Sequence, residues 1–171
     1  MKKWTISEVN SLSHDEFVRI VGPVFEHSPW IAEMTWARKP FAGLEHLQRA
    51  LYETVGNSGL DRQLALIRAH PDLVGRLALA GQLTKESATE QAGAGLDRTT
   101  ADEVKLFQKN NTAYQDRFGF PFIICARMNK KEAILAGFER RLKNSREQEI
   151  KTALEEIYKI AELRLRDLIT H

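Results

Sequence analysis

Ile150, Leu154, Ile157, Ala161, Leu165 and Leu168 fall at i, i+4, i+7, i+11, i+15 and i+18. That is one face of a helix held for five turns, and it predicts a long helix whose start is capped by Ser145-Arg146-Glu147-Gln148. The same grammar recurs along the chain. Ser13-His14-Asp15-Glu16 and Thr100-Ala101-Asp102-Glu103 have the form of capping boxes, in which the hydroxyl accepts the third backbone N–H and the carboxylate reaches back. Phe17, Ile20, Val21 and Val24 follow the first box; Glu103, Phe107, Asn110 and Tyr114 share a face after the second. Leu44, Leu47 and Leu51, extended by Tyr52 and Val55, make another helix that Gly56-Asn57-Ser58-Gly59 ends. Leu60, Leu64 and Ile67 begin a further one, and Asn129-Lys130-Lys131-Glu132 opens a short helix through Ile134, Leu135 and Phe138.

One segment breaks the pattern. Phe118-Gly119-Phe120-Pro121-Phe122-Ile123-Ile124-Cys125-Ala126 is aromatic and β-branched, the composition of a buried strand. No second strand is evident for it to pair with, and buried backbone groups rarely stay unpaired. Either a strand is hidden elsewhere, or the amides of this segment serve something else, a ligand being one candidate. The expected fold is all-α: a single compact multi-helix domain spanning residues 1–171, with a buried extended segment inside it.

Composition narrows the function classes. With 25 Lys and Arg against 23 Asp and Glu, the net charge of +2 is too weak to argue for nucleic acid or an anionic membrane surface. No apolar run approaches the ~20 residues that span a bilayer. The single Cys125 leaves no internal disulfide framework and no multi-thiolate metal site. Met1-Lys2-Lys3-Trp4-Thr5 leads into polar sequence, and the tail Ile169-Thr170-His171 is not a peroxisomal address, so a cytoplasmic location is expected.

Of the five histidines, His14 lies in a capping box and His171 is terminal, while His27 and His46 sit in polar, helical contexts that suit structural or surface roles. His70 differs, because Pro71 disfavours helical geometry before it and places the imidazole at a helix-to-turn junction, His70-Pro71-Asp72-Leu73. An imidazole there can donate or accept a proton near neutrality, although a capping or surface histidine fits the same local sequence. Ser87, Glu90 and Gln91, at i, i+3 and i+4 of Glu86-Ser87-Ala88-Thr89-Glu90-Gln91, share one helix face. A hydroxyl, a carboxylate and an amide together suit a polar heterocycle, and an exposed polar face has the same composition. His70, Asp72, Glu90 and Asp97 are potential metal ligands, but no His-Glu-x-x-His, His-x-His or paired-Cys spacing supports a metal site. A nucleophile elbow and a phosphate-binding glycine loop are absent as well. Arg117 and Arg127 flank the apolar segment and could reach an anionic substrate or pair with surface acids.

Taken together, the residues resemble the family of 2-oxo-4-hydroxy-4-carboxy-5-ureidoimidazoline (OHCU) decarboxylases, which complete the conversion of urate to S-allantoin. The resemblance is carried by His70-Pro71-Asp72-Leu73, Ser87-Ala88-Thr89-Glu90-Gln91 with Ala94-Gly95-Leu96, Asn111, Tyr114 and Arg117-Phe118-Gly119-Phe120-Pro121-Phe122-Ile123. It extends to Pro40-Phe41 and to the closing helix with Ala153-Leu154-Glu155-Glu156-Ile157 and Leu163-Arg164-Leu165. It implies an all-helical carboxy-lyase of purine catabolism that acts on a small molecule without metal or organic cofactor, forming a homodimer in several family members. Position by position, it implies His70 as proton donor and Glu90 as a second catalytic group. Pro71, Ser87, Ala88, Thr89, Glu90 and Gln91, with Phe122, Ile123, Ile124, Cys125 and Ala126, are the implied substrate-binding positions.

Overall fold

The computed structural model describes residues 1–170 and, of Leu77, the backbone alone; His171 lies outside the described residues. The chain forms α1 (Ile6–Ser11), α2 (His14–Val21), α3 (Trp30–Trp36), α4 (Leu44–Gly56), α5 (Leu60–Arg68), α6 (Arg76–Leu79), α7 (Lys85–Gly93), α8 (Ala101–Phe118), α9 (Lys131–Arg141) and α10 (Arg146–Leu168). Gly22–Val24 and Ala126–Met128 are single 3-10 turns. The expected all-α class is what the structure has. The only β-type pairing among the described residues is one bridge, Trp4 with Ile169, near the two chain ends. No helix among the described residues is long and apolar enough to cross a membrane.

The helix starts obey the local chemistry. Ser13 and Thr100 each accept the N–H of the glutamate three residues on, and each glutamate reaches back to the cap. Thr5 with Glu8 makes a third such box, at α1. Gln148 replaces glutamate at α10, where the Ser145 N–H donates to its Oε1 at 2.8 Å. Gly119 ends α8 with φ +78, the left-handed geometry that admits glycine most readily, and its N–H donates to Gln115 O at 2.8 Å.

Contacts group into two compact units, Met1–Ala69 with the chain from Tyr158 onward, and His70–Ile157. In the first, α2 packs on α3 and α3 on α4. Phe17 stacks on Phe41 at 6.0 Å, and the hydroxyls of Thr35 and Thr54 meet at 2.7 Å inside the apolar interior. Arg164 of α10 is buried there with Glu26, Nη1 to Oε2 at 3.0 Å, and also donates to the Pro23 carbonyl. In the second unit α7 packs against the Ala126–Met128 turn, and α8 against α9. Phe122 stacks on Phe138 at 3.9 Å, and Tyr114 stands edge-on to Phe122 at 5.3 Å.

Three expectations shift. Along α10 the buried positions are Glu149, Ala153, Glu156, Ile157, Ile160, Ala161, Arg164 and Leu165, whereas Ile150, Leu154 and Leu168 are half-buried. The seam is rotated because Glu149 and Arg164 have charged partners, which lets a helix bury them in place of a neighbouring aliphatic. On α8 the buried face is Phe107, Asn111, Tyr114 and Phe118, so Asn111 rather than Asn110 lies in the apolar stripe. His27 is not helical; it occupies an exposed turn with φ +44.

Candidate active site

The candidate residues all fall in the unit His70–Ile157. Helix α5 ends at Arg68, and half-buried His70 follows two residues later, directly before Pro71. The backbone past Pro71 is tightly specified. Val74 sits at φ +50, an outlier for a β-branched residue. Its N–H donates to Gln91 Oε1 at 3.3 Å, which holds the loop after His70 against α7. The Leu73 carbonyl accepts from Asn111 Nδ2 at 2.8 Å. Gly75 is required for room: a Cβ there would lie 2.6 Å from Asp72 Cβ and 3.2 Å from its carbonyl oxygen. Asp72 Oδ1 and Asn111 Oδ1 are buried with no hydrogen-bond partner among the described residues, and burial pushes the Asp72 carboxyl up from its ordinary value. Both residues line an open, mainly apolar depression of about 560 Å³ with Gly75, Arg76, Gln108 and Thr112, and none of Ser87, Glu90, Gln91 or residues 122–126 lines it.

Helix α7 begins at Thr84, whose hydroxyl accepts the Ser87 N–H at 3.2 Å. The spacing then turns Ser87 and Gln91 into the interior, with Glu90 half-buried beside them. Ala88 and Thr89 are exposed, and the Thr89 hydroxyl donates to the Lys85 carbonyl, so their side chains do not join that face.

The segment Phe120–Ala126 is buried and non-helical up to the turn at Ala126. Its carbonyls are held by side chains rather than by a strand. Arg141 Nη1 donates to Ile123 O at 2.5 Å, and Asn129 Nδ2 to Cys125 O at 2.9 Å. The Met128 N–H donates to the same Cys125 oxygen at 3.1 Å. Among the described residues no group accepts the N–H of Ile124 or of Ala126. Burial pushes the Cys125 thiol up, and the carboxylates of Glu156 and Glu90 act in the same direction. The structure thus brings together the inward face of α7, the extended segment and the loop that follows His70.

Arg117 is exposed and donates to the Asn144 carbonyl at 2.9 Å, and Arg127 is exposed on the 3-10 turn. His46 accepts the Ala42 N–H at 2.9 Å in a structural role, and His14 is exposed beside Asp15. Among the described residues no three His, Cys, Asp or Glu side chains converge as a metal site. Arg146 donates from Nε to the Phe118 carbonyl at 3.1 Å, and the arginine that reaches the deeper part of the apolar segment is Arg141; sequence reasoning passed over both. The signal was present: Ile134, Phe138 and Arg141 fall at i, i+4 and i+7, placing a cation in an apolar stripe. Arg141 is 5% exposed, with Nε on Glu149 Oε1 at 2.8 Å. Glu149 also accepts from Tyr114 at 2.5 Å and Asn144 at 3.0 Å. Burial and the Glu149 carboxylate hold the Tyr114 phenol protonated.

The fold defines a class: an all-helical protein in which one compact unit holds both a polar helix face and a buried, non-helical backbone segment. The chain belongs to the OHCU decarboxylase family, whose model matches residues 10–166. It is 42% identical over 168 residues to the 2-oxo-4-hydroxy-4-carboxy-5-ureidoimidazoline decarboxylase of Halalkalicoccus jeotgali, covering 98% of this chain and 93% of that one. It is 44% identical over 162 residues to the enzyme of the same name from Amia calva, covering 95% and 93%. The crystal structure of an (S)-allantoin synthase superposes with a TM-score of 0.76 at 30% identity, over 97% of this chain and 54% of that longer one.

Proposed function

We propose that this chain catalyses decarboxylation of 2-oxo-4-hydroxy-4-carboxy-5-ureidoimidazoline to S-allantoin and CO2, the last step from urate to allantoin, within one catalytic domain spanning residues 1–171. Loss of CO2 leaves an electron pair that the substrate's adjacent carbonyl and ring delocalise, so the chemistry needs no external electron sink. The protein has to position the carboxylate and deliver one proton to one face. His70 handles that proton, a contribution of ~10²–10⁴ in rate for a positioned acid or base. Pro71 fixes its backbone. Glu90 orients His70 or accepts the ureido N–H groups. Ser87 offers a hydroxyl, and Gln91, whose Oε1 is occupied by Val74, offers its amide N–H groups. Ala88 and Thr89 space these side chains along α7. The N–H groups of Ile124 and Ala126 face the ring oxygens, while Phe122, Ile123 and Cys125 exclude water and strengthen each polar contact.

The observation that carries this reading is the convergence of the Ser87, Glu90 and Gln91 face with a buried backbone segment whose N–H groups lack protein acceptors, in a chain of this family. The reading includes a cytoplasmic enzyme that works without a cofactor and does not bind nucleic acid. Urate freshly oxidised by uricase and hydroxyisourate hydrolase supplies the substrate. Circular dichroism then follows S-allantoin while CO2 is measured. Rapid formation of a single enantiomer is expected; no acceleration over spontaneous decay would refute the proposal. His70→Ala is expected to abolish turnover with the helical spectrum intact.

A further inference from the structure

We infer that Arg141 is a positioning residue of this site, setting the direction in which the Ile124 N–H is presented to the substrate; this deepens the reading above and rests on it. Arg141 lies 18 residues from Ile123 in sequence and is buried where a charge is expensive. A pair such as Arg141 with Glu149 is often replaced by apolar side chains without loss of stability, so a contribution to stability does not by itself account for it. What an apolar replacement could not do is hold a carbonyl. The guanidinium uses Nε on Glu149 and Nη1 on Ile123 O, and its plane covers the Phe122 ring at 4.2 Å from the centroid. One planar group therefore fixes a side chain and the next residue's carbonyl together.

The consequence follows from peptide planarity. Ile123 C=O and Ile124 N–H belong to one trans peptide unit and point in opposite directions. Fixing the oxygen towards Arg141 turns the N–H to the other side, where no described residue accepts it. Asn129 does the same for the next such unit but one, through Cys125 O and the Ala126 N–H. Two donors are thus held in place before any ligand arrives, the condition under which hydrogen bonds contribute fully to binding. Glu149, fixed by Tyr114 and Asn144, anchors the cation that does this.

Arg141→Lys keeps the charge for Glu149 but cannot serve both partners in a plane. The variant is compared with Thr35→Val, which removes a buried hydroxyl pair with Thr54 in the other unit and touches neither Arg141 nor the 120–126 segment. Arg141→Lys is expected to raise KM about tenfold, the worth of one aligned hydrogen bond, with kcat within about threefold. Thr35→Val is expected to lower Tm and leave KM unchanged. Hydrogen exchange of the 120–126 peptide, which needs no substrate, is expected to rise selectively in Arg141→Lys. Should Arg141→Lys not fold, Arg141→Gln/Glu149→Gln removes both buried charges and is read in the same way. An unchanged KM with unchanged exchange in the folded variant overturns the inference. If the wild-type chain fails to decarboxylate, the proposed function falls, and the exchange measurement still decides whether Arg141 orders the segment.

Discussion

Replacing Asn111 by alanine tests how the loop after His70 is held. Asn111 is 7% exposed and donates to the Leu73 carbonyl at 2.8 Å. The next residue, Val74, is kept at φ +50, a conformation that costs of the order of ~1–3 kcal/mol for such a residue. Leaving a buried carbonyl without its donor costs about 1–3 kcal/mol. The two quantities are equal in size, so the variant relaxes: once the Leu73 carbonyl is released, Val74 returns towards negative φ and recovers part of the loss. The net destabilisation is therefore roughly 1–2 kcal/mol. At about 2–4 °C per kcal/mol for a chain of this length, Tm falls by about 2–8 °C. Activity responds out of proportion, because the relaxation displaces the segment joined to His70, and a ~1 Å misplacement of a catalytic group costs on the order of 10² in rate. Thermal melts followed by circular dichroism give the first quantity, and the initial rate of S-allantoin formation at room temperature gives the second. A variant that loses the expected stability yet retains turnover within about twofold would show that the Asn111 bond does not place His70, and the reasoning fails.

Three further outcomes are expected. Burial raises the Asp72 carboxyl above its ordinary 3.8, so the folded chain holds this proton more tightly than the unfolded one, and stability falls as pH rises from 3.8 through the raised value. Asp72→Asn, which cannot ionise, is expected to melt above the parent near neutral pH and to lose that advantage below the unfolded value; an equal offset at both ends would contradict the assignment. Phe138→Ala empties the ring that stacks on Phe122 and meets Phe107 edge-on at 6.2 Å, and urea unfolding is expected to show a loss of about 3–5 kcal/mol. Cys125, buried and with its thiol pushed up, is expected to resist iodoacetamide in the native chain and to react fully in denaturant; native labelling at the same rate would place it in a different environment.

The features legible in the sequence are those whose causes are local. Capping boxes at Ser13 and Thr100 and the proline after His70 act within four residues, and the helices begin and end where those signals stand. That Ser87 and Gln91 share a face of α7 is readable from spacing, because a helix turns them to one side whatever surrounds it; that this face points inward is seen only in the structure. What spacing could not give was which polar residues are buried. Glu149 reads as solvent-exposed until Arg141, Tyr114 and Asn144 are seen around it, and Arg164 until Glu26 is found 138 residues away. Those partners rotate the buried seam of α10 off the aliphatic stripe. Val74 gives no sign of its left-handed backbone, since a β-branched residue adopts it only under constraint from Gln91 and Asn111.

Two of these constraints share a pattern that Asn111, with its N–H bonded and its Oδ1 left over, does not follow. Gln91 fixes the loop with its oxygen and keeps its N–H groups, and the peptide between Ile123 and Ile124 is fixed by its oxygen and keeps its N–H. In each case one half of a polar group is bonded within the protein, and the half that remains is a donor. On the proposed reaction that asymmetry has a reason. As CO2 departs, negative charge leaves the carboxylate and develops on the carbonyl and ring that receive its electrons, so pre-aimed N–H groups at that acceptor stabilise charge where it develops without reorganising. Mutating the fixing half of such a group should then weaken catalysis as much as mutating the donor itself. Gln91→Glu separates the two functions: it retains an oxygen for Val74 and removes the donors. It is expected to keep Tm near that of the parent while kcat/KM drops by about 10². A Tm loss with turnover preserved would mean that Gln91 serves the loop alone.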